Sequence, residues 1–129
     1  MVKIKKQSNN QCPYEDEEQI SVVQYLEKLK LLNHKIKYTA VPNSTYTPSW
    51  NAKKKNQSMG LRAGFPDLIL IANNILFFIE MKRVKGGTVS AEQKEWIQAL
   101  KDAAQHVFVC KGAEEAKLTI DSIIEMSKK

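Results

Sequence analysis

The chain has 129 residues, enough for one domain that buries about two-thirds of the surface its unfolded form would expose. Hydrophobic residues make up 43% and charged residues 26%, which excludes global disorder, and the apolar runs are too short to cross a bilayer as helices. Twenty Lys and Arg against fourteen Asp and Glu leave a formal charge of +6, a balance that favours an anionic partner, nucleic acid first. Cys12 and Cys110 are far apart and only two histidines exist, so neither a disulfide scaffold nor a Cys/His zinc site is expected. The polar stretch after Met1 predicts no signal peptide and hence a cytoplasmic protein.

Residues 1–13 are predicted to be a flexible basic lead, with a single domain over 14–129. Pro13 and the acidic run that follows open a helix, since carboxylates suit the positive end of a helix dipole. Val22, Val23, Leu26 and Leu29 give it an apolar face, and it ends near residues 32–33. Residues 34–41 alternate as a strand, which Pro42 stops or leaves at a sheet edge. Residues 43–64 are polar and basic and read as a long loop with a short helical turn around 51–58. Loops of that length inside a domain are usually functional. Residues 65–72 and 75–82 are two apolar strands, and Asn73-Asn74 between them suits a two-residue hairpin turn, because Asn tolerates positive φ. After a basic link with two glycines, Ser90 is an N-cap and Gln93 its capping-box partner for a helix over 91–104, with Trp96, Ile97 and Leu100 on its apolar face. Residues 106–110 form a fourth strand ending in a buried thiol at Cys110. Gly112 breaks it, and a last helix presents Leu118, Ile120 and Ile124. The expected order is α-β-β-β-α-β-α.

Two acids interrupt the hairpin. If Ala72 faces Ile75 across the turn, Asp67 falls opposite Glu80, and like charges so placed destabilise a sheet. A divalent cation would remove that cost, and Mg²⁺ and Mn²⁺ prefer oxygen ligands of this kind. Lys82 follows Glu80 by two residues and shares its face, while Met81 points into the core and leaves its backbone carbonyl available to the metal. Two acids and an amine around one point are what phosphodiester hydrolysis needs. The competing reading makes Asp67 a turn cap and puts Glu80 and Lys82 on a solvated strand edge.

Taken in order, Gly64-Phe65-Pro66-Asp67, Glu80-Met81-Lys82 and the Gln93 helix closely resemble the VRR-NUC family of the PD-(D/E)xK nuclease superfamily. The stretches 41–43 and 60–64 are similar to those of stand-alone phage and bacterial members, and the resemblance runs from about Glu15 to Cys110. It implies an α/β, restriction-endonuclease-like core with a mixed four-stranded sheet flanked by helices. It implies an Mg²⁺- or Mn²⁺-dependent deoxyribonuclease in a bacterial or phage-infected cell, acting on structured or branched DNA in replication, repair or recombination, as a homodimer akin to Holliday junction resolvases. RNA remains a possible substrate. The resemblance also implies a glutamate on the first helix that completes the metal site. Glu15, four residues before Gln19, fits the family's spacing, with Glu18 and then Glu17 as competitors. Gln93 then has two possible tasks, capping its helix and approaching the catalytic lysine or the phosphate.

Lys53, Lys54, Lys55 and Arg62 precede the first acid, and Arg83 and Lys85 follow the second motif. They are expected to form a positive groove that holds the phosphate backbone without reading sequence. Tyr46 and Trp50 either stack on unpaired bases or cover the core or a dimer contact. His34 and His106 are assigned structural places only. The reading from a different class is a non-catalytic nucleic-acid-binding module, against which the intact Asp67, Glu80 and Lys82 stand.

Overall fold

The computed structural model describes residues 14–32, 34–42 and 49–128. The basic lead, Cys12, Asn33, Asn43 and Tyr46 lie outside the described residues. Eight elements follow in order: α1 (Glu15–Leu31), β1 (Ile36–Ala40), α2 (Trp50–Ser58), β2 (Leu68–Ala72), β3 (Ile75–Lys82), α3 (Ala91–Asp102), β4 (His106–Lys111) and α4 (Ala113–Ser127). The described strands form one mixed sheet in the order β1-β2-β3-β4, antiparallel at the first two junctions and parallel between β3 and β4. The α3 crossover makes that parallel step possible, since a parallel neighbour cannot be reached by a tight turn.

The hairpin forms because Asn73 and Asn74 both take positive φ, 48° and 74°, the backbone of a type I′ turn. Asn73 is further pinned on both sides. Its N–H donates to the Lys35 carbonyl at 2.8 Å and its side-chain amide donates to Ser127 Oγ at 3.0 Å. The register follows as expected from the turn, Ala72 against Ile75 through to Leu68 against Ile79.

Alternation then sorts the strands between two faces. Leu68, Leu70 and Ala72 of β2 and Phe77, Ile79 and Met81 of β3 point to one side, where Val22, Leu26 and Leu29 of α1 and Ala116, Ile120, Ile123 and Ile124 of α4 close the core over them. The opposite side is thinner. Phe65 stands edge-on to Phe78 at 5.7 Å and to Trp96 of α3 at 5.0 Å, so the segment before β2 is clamped between sheet and helix.

Three expectations are corrected. The short helical turn expected around 51–58 is a full nine-residue helix, α2, nucleated by Ser49, whose Oγ accepts from Ala52 N at 3.0 Å. In α4 the buried row is Ala113, Ala116, Ile120, Ile123 and Ile124, whereas Leu118 is 65% exposed. Leu118 lies between Ile120 and Ala116 in sequence but half a turn off their stripe. Trp96, Ile97 and Leu100 of α3 are only partly buried, because this helix covers the sheet's thinner side.

Gly64 sets the distance between the segment before β2 and the start of α3. Its φ is +96°, and a Cβ there would lie 2.6 Å from the backbone carbon of Glu92. Gly60 has a similar φ of +100° but opens on empty space. Gly64→Ala is therefore expected to cost more than about 2 kcal/mol in urea unfolding, strain and clash together, against roughly 1 kcal/mol for Gly60→Ala. Equal losses at the two positions would show that the close approach is not what Gly64 serves.

Candidate active site

Asp67 sits one residue before β2, at the next rung of the ladder that pairs Leu68 with Ile79, and so opposite Glu80. Its backbone carbonyl accepts from Val41 N at 2.8 Å and its Oδ2 accepts from Met81 N at 2.8 Å. Both bonds hold the carboxylate where β2 and β3 are still joined. Pro66, wholly buried, fixes the chain just before it.

Glu80 is 1% exposed and Lys82 is 8% exposed, which removes the reading of a solvated strand edge. Burial, followed by the hydrogen bond and charge of Asp67, pushes the Glu80 carboxyl up to about 9, with Lys82 opposing. Glu80 Oε2 accepts from Gln93 Nε2 at 3.0 Å and lies 3.8 Å from Lys82 Nζ. Glu80 Oε1 is buried without a hydrogen-bond partner. At neutral pH and without a cation, the Glu80 carboxyl therefore favours its protonated form.

Lys82 Nζ stands between Glu80 and Glu15, 3.8 Å from Oε1 of the latter. The Lys82 backbone carbonyl accepts from Gly112 N at 2.9 Å, which fixes the strand end that carries the amine. The three first-helix acids point to different places according to their phase on the helix. Glu15 points at Lys82, whereas Glu18 accepts from the N–H of Ala113 and caps α4. Glu17 lies exposed on another side of the helix.

Gln93 performs two tasks at once. Ser90 Oγ accepts from Gln93 N at 3.2 Å, and Gln93 Oε1 accepts from Ser90 N at 2.9 Å, completing the capping box. Because the amide oxygen is taken by Ser90, the amide nitrogen must face Glu80. Its partner is thus Glu80, and not the lysine.

These groups line a cleft of about 580 Å³ with Asp16, Gln19, Ala63, Gly64, Thr88 and Glu92. Five carboxylates, those of Glu15, Asp16, Asp67, Glu80 and Glu92, face one ammonium there. Asp16 and Glu92 carried no sequence signal for this place. They arrive through the first turns of α1 and α3, which tertiary packing aims at the cleft. The expected positive groove does not line it. Lys53, Lys54 and Lys55 are exposed on α2, and Lys85 is exposed on the link after β3. Arg62 donates from Nη1 to the carbonyls of Gln57 and Leu61, 3.0 Å each, and the Arg83 guanidinium stands 5.2 Å over the Tyr14 ring.

Divalent-cation fit can be judged from the donors. The buried orphan oxygen of Glu80 beside Asp67 suits a hard cation that keeps several waters and takes one or two carboxylates. Among the described residues no group of three or more His, Cys, Asp or Glu side chains is placed to hold a metal, so the expected three-acid set with Glu15 is not assembled. Glu15 instead stands 3.8 Å from Lys82 Nζ.

Comparison with known proteins gives one consistent answer. The model of the VRR-NUC domain matches residues 13–114. A solved VRR-NUC domain protein is 25% identical, with a TM-score of 0.71 over 89% of this chain and 91% of its own. A second solved VRR-NUC domain, 18% identical, shares the fold with a TM-score of 0.56 over 86% of this chain and 94% of its own. No curated protein matches the chain.

The raised Glu80 carboxyl has a signed consequence for stability. A carboxyl that takes its proton at about 4.5 when unfolded and about 9 when folded stabilises the fold fully below pH 4.5 and loses that contribution as pH rises toward 9. In EDTA, the melting temperature should fall across this window by about 5 °C or more. Glu80→Gln, which keeps the shape and cannot ionise, should remove most of the fall. Parallel pH profiles for the two proteins would contradict the assignment.

Proposed function

The chain belongs to the VRR-NUC family, and on that premise we propose that it is an Mg²⁺- or Mn²⁺-dependent deoxyribonuclease that hydrolyses phosphodiester bonds. We propose further that it is an endonuclease acting on structured or branched DNA during replication, repair or recombination. Family membership supports a nuclease in general. The observation that carries the reading for this chain is the meeting of Asp67, buried Glu80 and buried Lys82 in one cleft, with Glu80 Oε1 left without a donor.

Asp67 and Glu80 would hold the cation, and Gln93 keeps one Glu80 oxygen turned away so that the other stays available. When bound, the ion polarises a phosphate oxygen and lowers the pKa of a coordinated water. Lys82 orients the attacking water and offsets charge growing on the phosphate. Glu15, 3.8 Å away, would keep the amine pointed into the cleft. Water attacks phosphorus in line, the bond to the 3′ oxygen breaks, and that oxygen leaves as a hydroxyl after taking a proton. The products carry 5′-phosphate and 3′-hydroxyl ends.

The carboxylates of Glu15, Asp16, Asp67 and Glu92 would repel DNA before a cation is in place, so metal precedes substrate in this scheme. Backbone binding falls to the basic side chains around the cleft, Lys53, Lys54, Lys55, Arg62, Arg83 and Lys85. A homodimer would place two such clefts on one branched substrate. Among the described residues no helix is long and apolar enough to cross a membrane.

The test is a panel of duplex, single-stranded, nicked, gapped, flap and four-way DNA with Mg²⁺ or Mn²⁺ and mapped product ends. Lys82→Ala and Asp67→Asn should each lower the rate by about 10²-fold or more, and EDTA should abolish cleavage. Native protein that cuts none of these substrates would end the proposal.

A further inference from the structure

Helix α2 stands apart from the rest of the molecule. Among the described residues no other helix or strand packs against it, and it has no buried residue. A nine-residue helix is marginal on its own in water, so one that buries nothing is held only by its ends. The Ser49 cap holds the start. At the other end Arg62 Nη1 donates to the Gln57 carbonyl, and Leu61 N donates to the Asn56 carbonyl at 2.9 Å. The chain then runs directly through Ala63 and Gly64, which line the acidic cleft.

Its composition selects a partner. The sequence WNAKKKNQS has three lysines and no acid. Trp50 is 75% exposed, which removes the alternative that it covers the core. On a helix Trp50, Lys53, Lys54 and Gln57 share one side, so an indole stands beside two amines. Protein interfaces are depleted of lysine at their centres, and a lone indole ringed by amines and amides is a poor seat for one. A phosphate chain matches the amines, and an exposed indole matches a base face. In a paired duplex the base faces are covered by stacking, so the indole finds a partner only where a strand is unpaired.

We infer that α2 is a docking platform for a single-stranded stretch of the substrate, with Trp50 stacked on a base and Lys53 and Lys54 on the adjoining phosphates. The inference rests on the nuclease reading for its substrate class and narrows it to DNA with unpaired nucleotides beside the cleaved bond. The cleft repels phosphate, whereas α2 attracts it. Docking there would therefore deliver the strand to Ala63 and Gly64 at the cleft's edge.

Fluorescence anisotropy with the full chain carrying Asp67→Asn measures binding without cleavage. Flapped or gapped DNA should bind more tightly than blunt duplex of equal length, and Trp50→Ala should shrink that preference about tenfold. Replacing Lys53, Lys54 and Lys55 together by Ala should flatten the dependence of log Kd on log salt by about 2. In a Trp96→Phe background, indole emission should be quenched by oligo-dT. An unchanged preference with Trp50→Ala, no quenching, or a dimer that Trp50→Ala dissociates would each overturn the inference. Native cleavage with α2 variants that bind as before removes the docking role alone. Binding through α2 with no cleavage by native protein removes the hydrolytic role alone.

Discussion

A carboxylate that cannot reach water and a second carboxylate placed opposite it form the constraint on which the rest of this structure depends. The pairing arises from two asparagines. Because Asn73 and Asn74 both adopt left-handed backbone, the hairpin has a two-residue turn, and every rung back to Asp67 and Glu80 is thereby set. A slip by one residue would exchange the faces of the whole strand, moving Phe77, Ile79 and Met81 out of the core and Glu80 into it. The hydrophobic packing on one side of β3 thus enforces the charge placement on the other. The sheet tolerates the acids because burial raises the Glu80 carboxyl toward its neutral form, and in the proposed working state a cation would stand between the two.

Around that pair, three elements supply one contact each. The first turn of α1 brings Glu15 to the amine, the N-terminus of α3 brings Gln93 to Glu80, and the β3–α4 junction ties the Lys82 carbonyl to Gly112. Gly64 lets α3 come close enough for the second of these. The arrangement keeps the amine beside the carboxylates, so the charge that would steady a phosphate is already in position before any substrate arrives.

Local chemistry was readable from sequence where it depended on neighbours in the chain. The Asn-Asn turn, the hairpin register and the Ser90–Gln93 capping box are all of this kind, and each appears as expected. What depended on distant packing was less legible. Four consecutive acids open α1, and only the angle at which that helix crosses the sheet decides that Glu15 meets Lys82 while Glu18 meets α4. The sequence marks α2 only as a helical turn within a loop because it has no apolar stripe, and among the described residues no helix or strand covers it. Sequence proximity to the acids suggests a basic groove beside them, but Lys53, Lys54, Lys55, Arg62, Arg83 and Lys85 do not line the cleft.

The capping of α4 by Glu18 ties two helices of the core to one angular setting. Glu15 and Glu18 are three residues apart, nearly one turn, and each has a different, fixed recipient: an amine on the central sheet and the opening N–H of the last helix. Loss or gain of one residue between Glu18 and Val22 would swing both carboxylates about 100° around the axis and separate both from their recipients together. The amino-terminal helix therefore works like a keyed shaft, tolerant of change along its outer side yet intolerant of an indel between its acids and the buried stripe that begins at Val22.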